Sequence, residues 1–248
     1  MQKYSVLTYI IGDYEKVHEI KQKSPNAEYI LVTDNKNLTS STWNVVYVDN
    51  SHPEDNFDLC YKIRFNPFNY VNNDVVVRVD GSIGINASFD NIIKHFDENQ
   101  YDICLLIHPS RNNIINEYAA WVNQRGYSFE RAKEMVTFLF LKIHYNFDYK
   151  GLYQYNFMIQ RKNKVNQDIN RMTYFLLKYL APEGKQIERI DQTIGSVILN
   201  KFFINKIKVL PVSEKLCSNG KYMNMYFHNT DIMYHGNIDI EPFLFNNK

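Results

Sequence analysis

The sequence predicts a single α/β domain built on a mixed, mostly parallel sheet with helices on both faces. Strand-like and helix-like segments alternate through the first half of the 248 residues, which is the order that βαβ units produce. The run DICLLIH at 102–108 is continuously apolar, as central strands are when helices cover both sheet faces. The run SFDNIIKHF at 88–96 has its apolar residues at the spacing of one helix face.

Each element follows from a local pattern of the same kind. Apolar or alternating runs predict strands, in chain order, at 5–11, 28–33, 43–48, 74–80, 102–108, 155–160 and 206–210. Helical spacing predicts helices at 15–23, within 58–70 up to a break at Pro67, and at 88–96, 115–124, 128–143, 167–180 and from about 190. Residues 1–214 are expected to form the domain, and 215–248 an irregular, aromatic-rich tail that packs on it.

Composition excludes some classes of protein. Hydrophobic residues make up 45% and charged residues 22% of the chain, which is typical of a globular protein and not of a disordered one. A net charge of +1 provides no overall field for nucleic acid or an anionic membrane. An anionic ligand must therefore be bound by local groups. Nineteen tyrosines and sixteen phenylalanines reflect either an AT-rich genome or a surface on which rings stack.

The cysteines and the amino terminus predict a cytoplasmic protein. Cys60, Cys104 and Cys217 are an odd number without metal-type spacing, so we expect reduced thiols. The first apolar run is short and is interrupted by Gly12 and Asp13, unlike a signal peptide. No later run approaches the 20 or so apolar residues of a transmembrane helix. Peripheral association with the inner membrane face stays open.

Polar residues follow the predicted strands at their carboxyl ends, where α/β folds bind ligands. Thr8 and Tyr9 lie late in the first strand, and Asp34, Asp80 and His108 follow three others. The first loop, IIGDYEK, has one glycine and lacks the GxGxxG of dinucleotide sites. A phosphate loop, a GxSxG elbow and an HExxH pair are also absent from the sequence.

Asp80 ends the run VVVRVDGSIGI at 75–85 and has two interpretations. Asp-Gly at a strand end is a common turn in which the carboxylate bonds nearby backbone amides. Alternatively, a rigid strand presents the carboxylate beside Gly81, which permits close approach of a diphosphate or sugar. A hard divalent cation shared with substrate phosphates suits that position.

The segments TYIIGDY, LVTDN, CYKIRFNP, VVVRVDGSIGI, HPSRNNIINE and RIDQTIGSV occur in this order over roughly residues 5–200. Together they resemble nucleotide-sugar glycosyltransferases of the GT-A fold. The resemblance is closest to the glycosyltransferase-like domain shared by plant wall-polysaccharide proteins and bacterial surface-polysaccharide clusters. It implies a GT-A-like domain that uses a nucleotide-diphosphate sugar, with UDP as the expected nucleotide.

The resemblance also implies a set of donor-binding residues. Tyr9, Gly12 and Asp34 would line the nucleoside pocket, and Lys62 or Arg64 would reach the diphosphate. The whole predicted donor site comprises Thr8, Tyr9, Gly12, Asp34, Lys62, Arg64, Arg78, Asp80 and Gly81.

A divalent cation, Mn²⁺ or Mg²⁺, is implied at Asp80, which takes the place of the family's Asp-x-Asp motif. The sequence departs from that motif because Arg78 occupies the first aspartate position. An arginine near the pyrophosphate can neutralise part of its charge instead. His228 and His235 are candidates for a late metal-binding histidine, although a histidine in an irregular tail is more often only solvated.

Asp191, which is followed by Gln192, is the predicted catalytic residue. It resembles the acidic segment that contacts the acceptor hydroxyl or donor sugar in GT-A enzymes. The carboxylate would act as general base in an inverting enzyme, or bind the sugar or stabilise positive charge in a retaining one. The alternative is an ordinary helix N-cap.

His108, Arg111 and Glu117 form a second predicted cluster, and together with Gln192 they are assigned to the acceptor or the sugar. The alternative is a histidine that ends a strand beside a surface ion pair worth ~0.5 kcal/mol.

The expected activity is transfer of a sugar to a hydroxyl of a surface glycan, such as capsule or lipopolysaccharide, with a glycan or lipid-linked glycan as acceptor. Two alternatives remain. One is a nucleotidyltransferase, which would need a more basic and glycine-rich first loop. The other is a non-catalytic glycan-binding or scaffold protein with the same fold.

Overall fold

A ten-stranded mixed sheet forms the centre of the protein, in the order β3-β2-β1-β4-β7-β6-β8-β10-β9-β5. The computed structural model describes residues 2–51, 55–124, 126–149, 151–181, 190–217, 223–226 and 233–242. The strands are β1 Tyr4–Ile10, β2 Ala27–Thr33, β3 Asn44–Tyr47, β4 Val75–Val79, β5 Ile83–Ile85, β6 Ile103–Ile107, β7 Tyr153–Arg161, β8 Val209–Cys217, β9 Met223–Tyr226 and β10 Met233–Pro242.

The seven strands from β3 to β8 confirm the mixed, mostly parallel sheet. Strands β1 to β4 are mutually parallel, and β6 and β8 run in the same direction. Only β7, between β4 and β6, is antiparallel to its two neighbours. Strands β10, β9 and β5 extend this sheet through antiparallel pairs.

Helices cover both faces of the sheet, as the continuous apolar strands predict. They are α1 Asn56–Phe65, α2 Asp90–Glu98, α3 Ile114–Gln124, α4 Phe129–Leu141, α5 Lys164–Leu180 and α6 Asp191–Ile198, which continues as a π-helical turn over Leu199–Phe203. Alternate residues of β4 point to opposite faces: Val75, Val77 and Val79 pack with α2, and Val76 packs with α1. A fully buried valine contributes ~1.5–3 kcal/mol. None of the helices in the described ranges has the length and apolar composition needed to cross a membrane.

The predicted helix at 15–23 is wrong. This segment is irregular because its backbone bonds to other parts of the chain. The carbonyl of His18 accepts from the Trp43 indole, the amide of Ile20 donates to Thr42, and that of Lys21 donates to Ile85. These bonds replace those of an isolated helix, which is marginal at this length.

The expected irregular tail after about residue 215 is also corrected. Strand β8 continues to Cys217, and β9 and β10 follow it. Residues 238–241, IDIE, alternate apolar and polar, which is the pattern of a half-buried strand. Strand β5 is too short, at three residues, to give such a signal.

Helix α1 is joined to α5 by one carboxylate. Asp58 accepts from the Tyr174 hydroxyl at 2.6 Å and pairs with Lys62 at 2.7 Å and Lys178 at 3.1 Å. Burial alone would raise the pKa of Asp58, but these three donors outweigh it and hold the pKa below its usual range. The charged carboxylate therefore stabilises the junction.

We expect Asp58→Asn to lower the melting temperature by about 2–4 °C at pH 7, the equivalent of ~1 kcal/mol in a chain of this size. A lowered carboxylate pKa stabilises the fold above the unfolded value, and that stabilisation is lost as the pH falls through the folded value. The difference from wild type should therefore shrink below about pH 4. Asp168→Asn, at an exposed carboxylate on α5 that pairs with Lys164, is the matched control and should melt like wild type.

Candidate active site

A cavity of about 590 Å³ opens at the carboxyl edge of the sheet. The chain leaves β1 toward β2 and β3 on one side, whereas β4 lies on the other side of β1. Such a reversal of strand order leaves a crevice in which α/β proteins bind ligands. The cavity is lined by Tyr9, Ile11, Gly12, Tyr14, Asn56, Phe57, Cys60, Tyr61, Arg64, Asp80, Ser82, His108, Arg111, Gln154, Tyr155, Asn156, Asp191 and Gln192.

Arg64 bridges the two carboxylates that the sequence singles out. Its Nη2 donates to Oδ1 of Asp80 at 2.6 Å, and its Nη1 bonds Oδ2 of Asp191. Its Nε donates to the Tyr9 hydroxyl at 2.6 Å, and that hydroxyl donates to Asp80 at 3.2 Å. Strand β4, helix α1 and helix α6 therefore meet through one guanidinium, 9% exposed.

Asp191 is not a helix cap. It is the first residue of α6, Ile190 holds the N-cap position, and no side chain caps the helix among the described residues. The carboxylate instead accepts from the Tyr61 hydroxyl at 3.2 Å as well as from Arg64. The N-cap interpretation is therefore excluded, and the carboxylate lies on the cavity wall.

The charges at this site are mutually compensated. Burial alone would lower the pKa of Arg64, but Asp80, Tyr9 and Asp191 outweigh it and raise the pKa well above its usual value. Burial raises the pKa of Tyr9, and burial followed by the Asp191 charge raises that of Tyr61. Both phenols therefore stay protonated and act as hydrogen-bond donors.

Arg78 lies beneath Asp80 and not on the cavity wall. Its side chain is 1% exposed, its Nη1 donates to the Tyr155 carbonyl at 2.9 Å, and the same atom is 3.7 Å from Asp80. Its Nε has no partner among the described residues. Burial, followed by repulsion from Arg64, lowers the pKa of Arg78, so its charge is held at a cost to the fold.

The first loop forms one end of the cavity. The amide of Gly12 donates to Asp34 at 2.8 Å, which joins two residues of the predicted nucleoside pocket. Asp34 itself is outside the cavity wall and also accepts from Asn50. The Tyr14 hydroxyl donates to the Tyr9 carbonyl and accepts from the Gly81 amide, both at 3.1 Å. A side chain at Gly81 would meet that hydroxyl at 2.5 Å, so this turn requires glycine.

We expect Gly12→Ala to destabilise the protein by about 2–3 kcal/mol. Gly12 has φ +69°, and an added Cβ would stand 2.1 Å from the Asn56 amide. Gly126→Ala is the matched control, since Gly126 has φ +71° but no described atom within 4 Å of the added Cβ. It should cost only the backbone strain, ~1 kcal/mol. Equal unfolding free energies in urea for the two variants would contradict the steric role of Asn56.

His108, Arg111 and Glu117, which the sequence groups together, meet in one chain of contacts that also includes Gln192. Arg111 lies 3.0 Å from Glu117 and donates from Nε to His108 at 3.0 Å. Gln192 donates to Glu117 at 2.8 Å. Because Glu117 is fully buried, this is no surface pair. It is a support behind the cavity wall formed by the other three residues.

Some predicted residues lie elsewhere. Thr8 is on the opposite face of β1 from Tyr9, since neighbouring strand residues alternate, and it does not line the cavity. Lys62 pairs with Asp58 outside the cavity wall. His228 is outside the described residues, and of His235 only the backbone is described.

Several cavity residues were not predicted from the sequence, although four of them share a recognisable spacing. Phe57, Cys60, Tyr61 and Arg64 line the cavity from α1 at i, i+3, i+4 and i+7, the spacing of one helix face. Gln154, Tyr155 and Asn156 line the cavity from an irregular part of β7, where the register against β6 shifts between Leu105 and Leu106. The alternation of apolar and polar residues that predicts a strand does not reveal such a shift in register.

The described residues do not fit the divalent cation that the resemblance implies. Asp80 is already bonded to Arg64 and lies near Arg78. The described residues include no group of three or more His, Cys, Asp or Glu side chains that could hold a metal ion. A cation at Asp80 would lie beside the positive charges of Arg64 and Arg78, which oppose its binding.

Comparison with known proteins adds no further constraint. No protein-family model matches the chain, and no curated protein matches it. The resemblance to the GT-A glycosyltransferases therefore stays a prediction.

Proposed function

We propose that this protein is a GT-A-like glycosyltransferase that moves a sugar from a nucleotide-diphosphate donor, UDP-linked as the resemblance implies, to a hydroxyl of a surface glycan. One observation carries the proposal. Two carboxylates, Asp80 at a strand end and Asp191 at a helix start, line one cavity at the reversal of strand order and are joined there by Arg64. Ligand sites in α/β sheets occur at such crevices.

The proposed reaction uses Asp191 as general base. The acceptor hydroxyl attacks the anomeric carbon, the bond from that carbon to the diphosphate oxygen breaks, and the nucleoside diphosphate leaves with the electron pair. The hydroxyl proton passes to Asp191. A carboxylate can accept about four hydrogen bonds, and Tyr61 and Arg64 use only two of these positions among the described residues. Capacity for the acceptor hydroxyl therefore remains.

The other residues have positioning roles in this proposal. Tyr9 and Gly12 would contact the nucleoside, and Phe57 and Tyr61 add aromatic rings to the same cavity wall. Oδ1 of Asp80 is held by Arg64 and Tyr9, which leaves Oδ2 to accept a hydroxyl of the donor sugar. Arg111 and Gln192, supported by Glu117, would contact the sugar or a glycan or lipid-linked acceptor.

Thermal-shift measurements with UDP, GDP, UDP-sugars and a nucleoside triphosphate, in EDTA and in Mn²⁺, test this proposal against its rivals. A ligand that binds the folded state raises the melting temperature by mass action, so we expect nucleoside diphosphates and UDP-sugars to stabilise the protein. A response to the triphosphate alone would favour a nucleotidyltransferase. An unchanged melting temperature with every ligand would overturn the glycosyltransferase proposal and favour a glycan-binding or scaffold protein.

A further inference from the structure

We propose that the diphosphate of the donor is bound by the guanidinium groups of Arg64 and Arg111 at the start of helix α6, without a divalent cation. The inference rests on the proposed function and names the charge that this site uses to hold its substrate. Three observations carry it: the charge balance at the cavity, the remaining donors of Arg64, and the position of Arg111.

The carboxylates at the cavity carry no excess negative charge. Arg64, Arg78 and Arg111 each contact one or more of Asp80, Asp191 and Glu117 within 3.7 Å. Three cations thus compensate three anions. A divalent cation binds carboxylates that still carry uncompensated charge, and these do not. The attraction for a phosphate must come from directed hydrogen bonds at the same guanidinium groups.

Arg64 is fixed in place and still has donors to offer. A guanidinium carries five N–H groups in a planar fork, and Arg64 uses one each toward Tyr9, Asp80 and Asp191. One N–H on each terminal nitrogen has no partner among the residues that the structure describes. Phosphate oxygens match this geometry, and the three existing bonds keep the fork immobile on the cavity wall, so that little side-chain entropy is lost on binding.

The start of α6 lies between the two cavity arginines. Its first residue, Asp191, bonds Arg64, and its second, Gln192, bonds Glu117, which pairs with Arg111. No side chain caps this helix among the described residues. The first-turn amides of an uncapped helix attract anions. The two guanidiniums therefore flank the start of α6, and both line the cavity.

Isothermal titration calorimetry with UDP, GDP and uridine, each in EDTA and in Mn²⁺, tests the inference. We expect UDP to bind wild type with dissociation constants that agree within about threefold in the two buffers, and uridine to bind at least about tenfold more weakly because it lacks the diphosphate. Arg64→Ala should weaken UDP to the level of uridine and leave uridine unchanged. Arg161→Ala, which removes an arginine outside the cavity wall, is the matched control and should bind UDP like wild type.

The outcomes separate this inference from the proposed function. Binding of UDP only in Mn²⁺, or wild-type affinity in Arg64→Ala, would overturn the guanidinium site alone. Absence of binding of both UDP and GDP in both buffers would overturn the proposed function itself. If Arg64→Ala does not fold, Arg64→Lys decides, because it keeps the charge but loses the fork. We expect it to weaken UDP at least about threefold, and an unchanged affinity would contradict the inference.

Discussion

Asp191→Asn is expected to reduce sugar transfer by about 10²–10⁴-fold while UDP affinity stays within about threefold of wild type. The substitution keeps an oxygen that can accept from Tyr61 and Arg64 but removes the charge that takes the acceptor proton. Loss of a positioned base costs about 10²–10⁴-fold in rate. Product mass spectrometry with a screen of UDP-sugars measures transfer, and calorimetry measures UDP binding on the same samples.

A purely structural role for Asp191 would give a different pattern. Transfer, UDP affinity and melting temperature would then fall together. The pH dependence of transfer by Asp191→Glu would be the same as that of wild type. Full turnover by Asp191→Asn would remove Asp191 from the mechanism. Asp168→Asn on α5, at a carboxylate outside the cavity wall, should transfer at the wild-type rate.

Arg78→Met is expected to lower transfer by about 10–100-fold without lowering the stability of the fold. Burial and the nearby Arg64 charge depress the pKa of Arg78, so the folded state pays to keep this group charged. Replacing a buried charge by an apolar side chain of similar length is often neutral or stabilising when its partner stays compensated, and Asp80 keeps Arg64. The weaker hold on Asp80 should reduce transfer, which the same donor screen measures.

Arg161→Met provides the comparison for stability. Arg161 lies on β7 and its guanidinium bonds Asp97 at 3.1 Å and the Tyr101 carbonyl at 3.1 Å, so its charge is satisfied. We expect this variant to lose ~1 kcal/mol and to keep its transfer rate. A drop in unfolding free energy for Arg78→Met as large as or larger than for Arg161→Met would contradict the assignment of Arg78 as a strained, functional charge.

The strands and the long helices were predictable because the apolar residues that recur along them are the residues that the fold buries. The run DICLLIH became β6, between neighbours on both sides, and the break at Pro67 ends α1 at Phe65. The segment 15–23 was not predictable, because its backbone bonds to Thr42, Trp43 and Ile85, partners distant in sequence. In this segment, tertiary hydrogen bonds outweigh the intrinsic helix propensity of the residues.

The position of the candidate site was predictable from those of its residues that lie at strand and helix ends. Asp80 and Asp191 come together although 111 positions separate them in the sequence, and Arg64 joins them. The choice between Lys62 and Arg64 needed the phase of α1: residues 61 and 64 share one helix face, whereas 58 and 62 share another. The places of Gln154, Tyr155 and Asn156 in the cavity wall were not predictable, since they depend on a shift in register between β6 and β7.

Strand β7 holds the site through its main chain. The carbonyl of Asn156 accepts from the Asp80 amide at 2.9 Å, and that of Tyr155 accepts from Arg78. Any residue at these positions offers the same carbonyl, and Gln154 and Asn156, which line the cavity, are only partly buried. A library randomised at residues 154 and 156 is therefore a direct route to variants with altered ligand preference that keep the main-chain bond to Asp80.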